Sequence, residues 1–570
     1  MKLVIIGGVA GGATAAARAR RISESAEIIV VEKGPYVSFA NCGLPYFVSR
    51  DIQKRSKLLL QTPEGFESRY GVKVLTETEA VEIDRAEKKV RTKGPEGFAF
   101  LPYDKLILAQ GGTPVVPPIE GAASPNVFTI WTVPDMDKIH EFIDSRKPTS
   151  AVIAGGGFIG LEMAEAFSRR GVATTVVELL PRLMPALDPE LGALVAQRLE
   201  AHGVRVITGQ KIKAVHAASS EVELSEGRKL PASLVLLAVG VRPELSLARD
   251  AGLEIGAAGG LLVDDHMQTS DPDIYAAGDM VEIRNRVTGA SGRLPLAGPA
   301  NRQGRIAASN ALGISQRYGG ALGTSVVKVF DAAVASTGLT ERAARAAGLD
   351  AAAAIVVKDH HAAYYPGARE LTLKIVYERR TGRLLGGQAF GEEGVEKRID
   401  VLATALAGKL TLHEVAELDL AYAPPFSSAN DPVNVAAFVG LNDISGFSPI
   451  CTASEAKSLI SASAANAASA PDAAPAAADG APLLLDVRTL NEFETSHLRG
   501  AMHIPVDELR FRRDEVPRDR PIIIYCRSGF RGHLALRILK ENGFSDVRNL
   551  TGGWVAIQAE GGFDSESERA

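Results

Sequence analysis

Residues 2–12, KLVIIGGVAGG, decide the first part of the fold. They are an apolar, strand-like run that ends in a glycine-rich turn, and an alanine-rich stretch typical of a helix follows, then a second strand over residues 27–32. The same order recurs at residues 151–160, AVIAGGGFIG, with the following strand at residues 173–178. The repeated strand, glycine turn and helix predict two nucleotide-binding βαβ units in an α/β chain.

The length and composition of the chain limit the class of protein. Its 570 residues exceed the roughly 100 to 200 residues of one domain. A hydrophobic content of 46% and a net charge of -5 are typical of globular protein without a basic surface for nucleic acid. No apolar stretch approaches the roughly 18 residues of a membrane span. Three cysteines predict reactive thiols in a reducing, cytoplasmic compartment. The charge and the missing apolar stretch predict that neither nucleic acid nor a membrane is a partner.

A linker is predicted toward the C-terminal end. Residues 461–480, SASAANAASAPDAAPAAADG, contain almost nothing able to fill a core, so we expect a linker over residues 447–480. Alanine also favours helix, but the prolines and the missing apolar stripe make helix the weaker alternative. Before the linker, residues 321–446 alternate strand-like and helix-like patterns, which indicates a separate α/β domain.

The two glycine turns have the chemistry of dinucleotide sites. In the first, glycines allow backbone N–H groups at a helix start to face a pyrophosphate, and Glu32 is placed to bind ribose hydroxyls. Val9 replaces the second glycine of the usual pattern. In the second turn the pattern is complete, and Glu178 ends the next strand. A carboxylate there repels a 2'-phosphate and favours NADH over NADPH, although Arg182 nearby weakens this preference.

Two later segments resemble a known family. Residues 103–112, YDKLILAQGG, and 269–279, TSDPDIYAAGD, are short strands that end in small residues, as backbone close to a flavin requires. Together with the glycine turns they resemble the pyridine nucleotide-disulfide oxidoreductases over residues 1–446. The resemblance implies two Rossmann-like domains that bind FAD and NADH, with Asp279 accepting from a ribitol hydroxyl. The implied cofactor-binding residues are Gly7, Gly8, Ala10, Gly12, Glu32, Lys33, Val81, Ala109, Gly111, Asp279, Ala297, Gly155, Gly157, Gly160, Glu178 and Gly240.

Cys42 is the predicted redox centre of this region. It lies in SFANCGLP, residues 38–45, at the start of a predicted helix whose positive end favours thiolate. No second cysteine follows, so an internal dithiol is impossible here. The pattern resembles the single-cysteine branch, which includes coenzyme A disulfide reductases, NADH oxidases and NADH peroxidases. Ala10 stands where the oxidases and peroxidases typically carry a histidine, which disfavours peroxide reduction.

The same branch suggests a substrate site for coenzyme A. Polar and basic side chains on one face of the first helix are suited to phosphates, although a solvated basic face is an alternative. The implied substrate-binding residues are Thr14, Arg18, Arg21, Ser38, Asn41 and Asn301. By resemblance, Tyr364 and Tyr422 in a dimerisation domain reach the partner subunit's catalytic cysteine, which implies a homodimer. Related enzymes commonly have lysine where this chain has Asn430, so one phosphate contact is missing.

A second sulfur site is predicted in the C-terminal region. A strand over residues 521–525 leads into CRSGFR, residues 526–531, where backbone N–H groups would cradle a thiolate or persulfide on Cys526. With its surrounding motifs, this loop resembles the rhodanese family over residues 481–561. Arg531 also has the spacing of a cysteine phosphatase loop, which is the chemical alternative, and an inert scaffold is the weaker one. Cys451 has no predicted role.

These observations predict a four-domain reductase. The expected domains are an FAD-binding domain (residues 1–112 and 245–320), an NADH-binding domain (113–244), a dimerisation domain (321–446) and a rhodanese-like domain (481–570). NADH and FAD would supply electrons to Cys42, which would reduce persulfides or disulfides of low-molecular-weight thiols such as coenzyme A. The alternatives are an NADH oxidase that cycles through Cys42 sulfenic acid and a redox-sensing protein.

Overall fold

The computed structural model describes residues 1–468 and 481–567. It has two compact units, each described separately below. The first contains Met1–Met184 and Leu199–Gly323, and the second contains Pro185–Arg198 and the described residues from Thr324 onward. The segment Pro185–Arg198 therefore groups with the second unit, although it lies inside the predicted NADH-binding domain.

The first βαβ unit forms as predicted. Its central strand Lys2–Ile6 leads through the glycine turn into the helix Ala10–Ile22 and returns to the parallel strand Glu27–Val31. Strand interiors are apolar and almost fully buried, as in parallel sheets covered on both faces. The five parallel strands lie in the order Ile274–Ala276, Lys105–Leu108, Lys2–Ile6, Glu27–Val31 and Lys73–Leu75.

The second βαβ unit repeats this arrangement. The strand Ser150–Ala154 leads into the helix Phe158–Arg169, which returns to the strand Ala173–Val177. The five parallel strands lie in the order Arg205–Ile207, Ala173–Val177, Ser150–Ala154, Leu234–Leu237 and Val127–Phe128. Both sheets bring the carboxyl ends of their first strands to a glycine turn, which is where such folds bind ligands.

Smaller elements complete the first unit. Its antiparallel strands are Glu79–Asp84, Lys89–Gly94 and Gly97–Pro102 in one sheet, Ile212–His216, Glu221–Leu224 and Lys229–Pro231 in another, and the pairs Gly112–Pro114 with Val241–Pro243 and Ile283–Arg284 with Ser291–Gly292. The remaining helices are Leu44–Val48, Pro63–Tyr70, Val133–Arg146, Ser246–Asp250 and Ala297–Ala311, with 3-10 turns at Asn41–Gly43, Arg55–Lys57 and Ala217–Ser219.

The second unit begins with an antiparallel sheet. Its strands lie in the order Ser325–Val329, Ala332–Gly338, Leu384–Gly391, Glu370–Glu378 and Ala351–Asp359. Its helices are Glu341–Ala346, Val395–Gly408, Leu412–Ala416 and Pro432–Ile444, and the helix Pro189–Ala201 begins in this unit. The strand Ala351–Asp359 is an edge strand of the sheet.

A buried charge cluster joins Pro185–Arg198 to this sheet. The Lys374 ammonium is buried and contacts the carboxylates of Asp188, Glu190 and Glu341. Burial alone would lower the pKa of Lys374, but the three carboxylates raise it above its ordinary value. A buried cation with several carboxylates is satisfied only in this arrangement, which explains why the segment belongs to the second unit.

The C-terminal part of the second unit is a parallel sheet with helices. The strands lie in the order Ile450–Cys451, Val547–Leu550, Ile522–Tyr525, Leu483–Asp486 and Met502–His503. The helices are Ala453–Ala468, Leu490–Thr495, Leu509–Arg512, Phe530–Glu541 and Gly553–Glu560, with a 3-10 turn at Arg513–Glu515 and a strand pair His497–Leu498 with Ser565–Glu566.

The structure differs from the expected linker over residues 447–480. Ile450–Cys451 is an edge strand of the C-terminal sheet, and the helix Ala453–Ala468 follows it. Cys451 and Ala456 are buried in the same core cluster as Ile523, so this segment supplies core residues that its composition concealed. The prediction of irregular linker is therefore wrong for residues 450–468, where alanine's helix preference prevails. Residues 469–480 of the expected linker lie outside the described residues.

Candidate functional site

The first glycine turn is built for close approach of chain segments. Gly7 has φ +97°, and a Cβ there would lie 2.3 Å from the Ala109 carbonyl oxygen. A Cβ on Gly12 would lie 1.8 Å from the Gly7 carbonyl oxygen. Both positions therefore require glycine. Val9 has φ -100°, a conformation open to any residue, so its departure from the usual pattern costs the turn nothing.

Two carboxylates are held in the same way in the two units. Glu32 accepts hydrogen bonds from the backbone N–H groups of Gly8 and Gly34, both at 2.8 Å. Glu178 accepts from Gly156 at 2.7 Å and from Leu180 at 2.9 Å. Burial raises the pKa of Glu32, while these backbone donors oppose the shift. Each carboxylate is fixed with lone pairs left over, which suits a ribose diol.

The second glycine turn leaves open space where a ligand would lie. A Cβ on Gly160 would lie 2.0 Å from the Gly155 carbonyl oxygen, so helix and strand meet there. A Cβ on Gly157 would meet no atom within 4 Å. Glycine at 157 is therefore not required by packing within the chain, and its absent side chain leaves room for a dinucleotide beside the helix start.

Asp279 is an unpartnered carboxylate at the end of the strand Ile274–Ala276. Burial raises its pKa to about 6, and no hydrogen bond to it occurs within the described residues. Gly111, with φ +66°, and Gly240, with φ +129°, would place a Cβ in open space. A half-buried carboxylate without a partner among the described residues fits a polyhydroxyl group of FAD, and the open backbone at the two glycines leaves room for a cofactor.

The other predicted cofactor residues lie at the surface or at helix starts. Ala10 is the first residue of the helix Ala10–Ile22, and Ala297 begins the helix Ala297–Ala311. Val81 is 37% exposed. The Lys33 ammonium contacts the Glu79 carboxylate at 2.7 Å. Lys33 is therefore engaged by a side chain of the protein itself.

Cys42 lies in the turn Asn41–Gly43, directly before the short helix Leu44–Val48. Its side chain is exposed, and its backbone N–H donates to the Asn41 side-chain oxygen at 3.0 Å. Desolvation, followed by the charges of Glu162 and Asp279, raises the pKa of the Cys42 thiol. The helix start does not lower the pKa of this thiol as expected, because desolvation raises it most and the two carboxylates add to that effect beside a helix of only five residues.

The sequence interpretation missed Glu162 and Tyr46. The Tyr46 hydroxyl donates to a Glu162 carboxylate oxygen at 3.0 Å. Burial raises the pKa of Glu162 to about 7 and contributes to a raised pKa at Tyr46. The available signal was a carboxylate two residues after Gly160, inside a helix whose other residues are largely apolar. Among charged groups, Glu162 has the largest effect on the pKa of the Cys42 thiol.

Thr14 and Asn301, two predicted substrate residues, meet on neighbouring helices. The Thr14 hydroxyl donates to the Asn301 side-chain oxygen at 2.8 Å. The helices approach closely because a Cβ on Gly304 would lie 2.1 Å from the Gly11 carbonyl oxygen. Their shared face therefore holds polar groups 287 positions apart in the chain.

The predicted basic residues of this face are joined by one that was missed. The Arg18 guanidinium donates to the Ser309 hydroxyl at 3.0 Å, and Arg21 donates to the Ala17 carbonyl oxygen at 3.0 Å. Desolvation, and then repulsion from Arg305 and Arg21, lowers the pKa of Arg18. Three guanidinium groups therefore interact here. Arg305 follows Asn301 by one helical turn, which was the signal for it.

Ser38, the remaining predicted substrate residue near the thiol, has an unusual backbone. Its φ is +47°, in the left-handed region that L-residues seldom adopt. Its N–H donates to the Gly8 carbonyl oxygen at 2.8 Å, and its own carbonyl oxygen accepts from the Leu60 N–H at 3.1 Å. These two bonds hold the turn that connects the first glycine loop to the segment of Cys42.

Tyr364 and Tyr422 meet on the surface of the second unit. Their hydroxyls lie 3.3 Å apart, and the side chains are 76% and 47% exposed. The hydrogen bond to Tyr422 raises the pKa of Tyr364. Asn430, at the position of the expected lysine, accepts a hydrogen bond through its carbonyl oxygen from the Lys358 ammonium at 3.2 Å. A lysine side chain therefore lies near position 430 from another strand.

Cys526 is almost fully buried, 1% exposed, at the end of the strand Ile522–Tyr525. The Gly529 N–H donates to its sulfur at 3.1 Å. Gly529 has φ +102° and caps the helix Phe530–Glu541, so the loop turns its backbone donor inward. A backbone donor at a helix start stabilises a sulfur anion.

Arg531 is held beside this loop by a residue that was missed. Its guanidinium binds both carboxylate oxygens of Glu492, at 2.7 and 2.8 Å. The pair lowers the pKa of Glu492 to about 2. The charge of Arg531 also interacts with Cys526. The capping-box pattern around Glu492 pointed to a helix start, but only the fold brings Arg531 to it.

Buried polar groups support the same loop. Arg488 forms a buried ion pair with Asp486 and lies over the Trp554 ring at 4.3 Å. The Trp554 N–H donates to the Cys526 carbonyl oxygen at 2.7 Å. The Asn549 amide donates to the Gly529 carbonyl oxygen at 3.0 Å. The loop is therefore fixed from both sides before any substrate binds.

Cys451, in contrast, sits in an apolar core. It is 1% exposed, and burial raises its pKa to about 12. All three cysteines are free thiols. Cys451 is therefore unreactive as a nucleophile at neutral pH.

Comparisons with known families match three regions of the chain. Residues 1–304 match the pyridine nucleotide-disulphide oxidoreductase family, and residues 324–432 match the dimerisation domain of that family. Residues 469–560 match the rhodanese-like domain. The rhodanese interpretation of the Cys526 loop is thereby favoured over the phosphatase alternative.

Known proteins similar to this chain include two solved structures of matching length. The reduced CoADR-RHD of Bacillus anthracis is 40% identical, with 98% of each chain covered and a TM-score of 0.92. The NAD-dependent persulfide reductase from A. fulgidus is 38% identical, with 97% of this chain and 99% of that chain covered and a TM-score of 0.89. The NAD(P)H coenzyme A polysulfide/persulfide reductase of Pyrococcus horikoshii is 37% identical over 77% of this chain and 98% of its own length.

These similarities confirm the predicted fold class, the predicted class of flavoprotein reductase and its use of FAD and a pyridine nucleotide. Among the described residues, no helix is both long enough and apolar enough to cross a bilayer. The geometry of the two glycine turns, the exposed Cys42 and the cradled Cys526 agrees with the family matches. The chain belongs to the pyridine nucleotide-disulphide oxidoreductase family and carries a rhodanese-like domain at its C-terminal end.

Proposed function

We propose that this enzyme reduces persulfides of a low-molecular-weight thiol with NADH, and that coenzyme A is that thiol. The observation that carries the proposal is the pairing of a single exposed cysteine, Cys42, in an oxidoreductase domain with a second cysteine, Cys526, in a loop suited to sulfane sulfur. The relatives named as persulfide reductases support it. Disulfide reduction is the same chemistry on a second acceptor.

The cofactor roles follow from the glycine turns. Glu32 and Asp279 hold FAD through its hydroxyl groups, and Glu178 holds the adenosine ribose of NADH and disfavours a 2'-phosphate. The remaining cofactor residues predicted from sequence supply backbone close to these groups. When bound, FAD would supply the two-electron chemistry that connects NADH to an oxidised Cys42.

Cys42 acts as the nucleophile. Its thiolate attacks the sulfur of the persulfide that is bonded to carbon, which releases sulfide and leaves a mixed disulfide with the thiol. Two electrons then return both sulfurs to thiolates. Glu162, with a pKa of about 7, holds a proton that it would give to a leaving thiolate, and its hydrogen bond from Tyr46 fixes the carboxylate.

Coenzyme A binding is assigned to the face shared by two helices of the first unit. Arg18, Arg21 and Arg305 would bind phosphates, and the hydrogen-bonded Thr14 and Asn301 would orient the nucleotide end. Ser38 and Asn41 lie near the thiol end. In a homodimer, the exposed pair Tyr364 and Tyr422 would donate hydrogen bonds to the mixed disulfide at the partner subunit's cysteine.

Cys526 would carry sulfane sulfur as a persulfide and transfer it to the thiol substrate. Arg531 and the Gly529 N–H favour the anionic sulfur. In this proposal the domains predicted above keep their boundaries, except that the rhodanese domain starts near residue 448. The rhodanese domain carries sulfur, and the other three domains carry out the reduction. Covalent linkage raises the effective concentration of product at the reductase. Three free thiols favour a cytoplasmic location.

The test is anaerobic NADH oxidation with sulfide release measured in the same sample. Coenzyme A persulfide and coenzyme A disulfide are compared as acceptors at equal concentrations. Faster turnover with the persulfide and one sulfide per NADH are expected. Faster turnover with the disulfide would make thiol maintenance the main activity. NADH consumption that requires oxygen and no thiol compound would instead support the NADH oxidase alternative.

A further inference from the structure

The second unit contains a cavity of about 660 Å³ beside the Cys526 loop. One wall is the loop itself, Arg527 to Phe530, and another is the helix Pro432–Ile444 through Val435 and Phe438. The floor is the edge strand Ala351–Asp359. This volume lies in the range of small-molecule sites. All residues that line the cavity belong to the second unit, whereas Cys42 belongs to the first.

The edge strand presents unpaired backbone groups to this cavity. The Thr551 hydroxyl accepts from the Ile355 N–H at 2.8 Å and donates to the Ile355 carbonyl oxygen at 2.9 Å. Ile355 therefore points its backbone away from the neighbouring strand, and by the alternation of antiparallel pairing Val357 does the same. That alternation turns the Val357 N–H and carbonyl oxygen away from the strand Glu370–Glu378, and no loop or side-chain bond to either group occurs within the described residues. Val357 lines the cavity.

The cavity wall offers little net charge. The Arg527 guanidinium is paired with the Glu370 carboxylate at 2.6 Å. The Lys358 ammonium is balanced by the Asp359 carboxylate, which also lines the cavity. Burial lowers the pKa of His533, which favours its neutral form. Phe438 and Phe530 are 38% and 68% exposed, so apolar rings flank the opening. An uncharged chain suits this site better than a carboxylate-bearing one.

We propose that this cavity binds the thiol that accepts sulfur from Cys526, and that it recognises an uncharged, amide-containing chain such as that of pantetheine. An amide of the chain pairs with the N–H and carbonyl oxygen of Val357, as an added strand would. The thiol end then lies against residues 527–530. This assignment rests on the proposed sulfur-carrying role of Cys526 and adds the site and the chemistry that select its acceptor.

The transfer step balances without a further reactant. The acceptor thiolate attacks the outer sulfur of the Cys526 persulfide, a new S–S bond forms on the acceptor, and the S–S bond to Cys526 breaks. Cys526 leaves as thiolate, held by the Gly529 N–H. One sulfur atom moves, and neither protons nor electrons are exchanged with solvent or cofactor.

The test uses the full-length Cys42→Ser protein, so that Cys526 alone carries transferable sulfur. The protein is loaded with inorganic polysulfide, freed of excess, and mixed with increasing pantetheine, glutathione or 2-mercaptoethanol. Mass spectrometry of the Cys526 peptide follows loss of the sulfur atom with time. Pantetheine is expected to saturate at the lowest concentration, and 2-mercaptoethanol, which has no amide, is expected not to saturate.

Val357→Pro removes the outward N–H at a position where an edge strand tolerates proline. It should raise the half-saturating pantetheine concentration about tenfold, because one hydrogen bond is lost and its partner is left unpaired. The rate with 2-mercaptoethanol should not change. Val357→Ala keeps the N–H and should change the pantetheine value by less than about twofold. Val435→Trp, which fills the cavity from the helix, should reproduce the selective loss if the proline variant does not fold.

Equal half-saturation in Val357→Pro and Val357→Ala, with no selective loss in Val435→Trp, would overturn the assignment. So would tighter saturation by glutathione, or saturation by none of the three thiols, which would indicate a protein acceptor. NADH-dependent sulfide release in the chain with Cys42 intact tests the proposed function independently. Its absence would remove the reductase proposal and leave the acceptor result standing.

Discussion

Cys42 and Cys526 are the two reactive sulfurs of this chain, and they lie in opposite surroundings. Cys42 is exposed, and the carboxylates Glu162 and Asp279 contribute to raising its pKa. Cys526 is buried, accepts a hydrogen bond from the Gly529 N–H and interacts with the charge of Arg531. The difference matches their proposed tasks: an exposed thiol can attack a substrate brought to it, whereas a carrier must protect a bound sulfur anion.

Cys451 shows that burial alone does not make a carrier. It is as buried as Cys526, yet desolvation raises its pKa to about 12 and no hydrogen bond reaches its sulfur within the described residues. The backbone donor and the nearby guanidinium are therefore what separate Cys526 from an inert core thiol. This makes Cys451 an internal reference for experiments on the other two.

Exchanging each reactive sulfur for oxygen should separate the two activities, with the largest effect of any change considered. Cys42→Ser should reduce NADH-dependent sulfide release by about a thousandfold or more, because the nucleophile is lost. Loading of Cys526 with sulfur should persist in that protein. Cys526→Ser should abolish sulfur loading of that position and keep NADH-dependent sulfide release from an added persulfide. Both activities are measured by sulfide release with NADH absorbance and by mass spectrometry of the Cys526 peptide.

Cys451→Ser is the matched control for both exchanges. It should leave both activities within about twofold, apart from a loss of stability from placing a hydroxyl in an apolar core. Full NADH-dependent turnover in Cys42→Ser would contradict the assignment of that cysteine. Loss of both activities in either single variant would contradict the division of tasks.

Arg531→Met should weaken Cys526 alone, by about tenfold to a hundredfold in sulfur transfer. The change removes the positive charge that acts on the sulfur anion and leaves Glu492 without its partner. The pKa of Glu492, about 2 in the pair, should return toward its ordinary value. Any stability supplied by the pair is present above that ordinary value and is lost as the pH falls toward 2.

The control for this variant is Arg512→Met in the same domain. Arg512 pairs with Glu508 and Glu515 on the surface and has no role near Cys526. Its substitution should leave sulfur transfer unchanged and have little effect on stability, because exposed ion pairs contribute little. If both variants transfer sulfur at the wild-type rate, Arg531 only pairs with Glu492 and has no role in sulfur transfer.

Much of the fold could be predicted because its signals are local. The strand, glycine turn and helix at residues 2–22 and 150–169 occupy the expected positions, and the two carboxylates after them are held identically. The Cys526 loop was visible for the same reason. A short motif in which each residue contacts its sequence neighbours specifies its own geometry.

The rest depended on contacts between distant parts of the chain. Arg305 joins Arg18 only because two helices cross at Gly11 and Gly304, and Glu492 meets Arg531 only because the fold brings together residues 39 positions apart. The direction of the Cys42 pKa shift was missed because its two main causes, burial of the thiol and the charge of Glu162 120 positions away, both arise only in the folded chain. The linker prediction was wrong in part because alanine-rich sequence has no local sign of what it packs against.

Glu162→Gln tests whether that distant carboxylate sets the reactivity of Cys42. Removing a negative charge should lower the pKa of the thiol. Alkylation of Cys42 by iodoacetamide in the reduced protein should therefore become about threefold to tenfold faster at a fixed pH below the thiol pKa. The alkylation rate of Cys526 should not change. Glu141→Gln, an exposed change of the same charge on the helix Val133–Arg146, is the control.

The pH dependence gives this test its direction. Glu162 itself titrates at about 7, so its negative charge is present above that pH and absent well below it. The alkylation rates of wild type and Glu162→Gln should therefore converge below about pH 6 and separate as the pH rises through 7. A constant ratio across this range would mean that the substitution acts through packing, with Tyr46 losing its acceptor. If the ratio of the two alkylation rates, Glu162→Gln over wild type, grows with pH, the protonation state of Glu162 sets the reactivity of the exposed Cys42. The buried Cys526 is not regulated in this way.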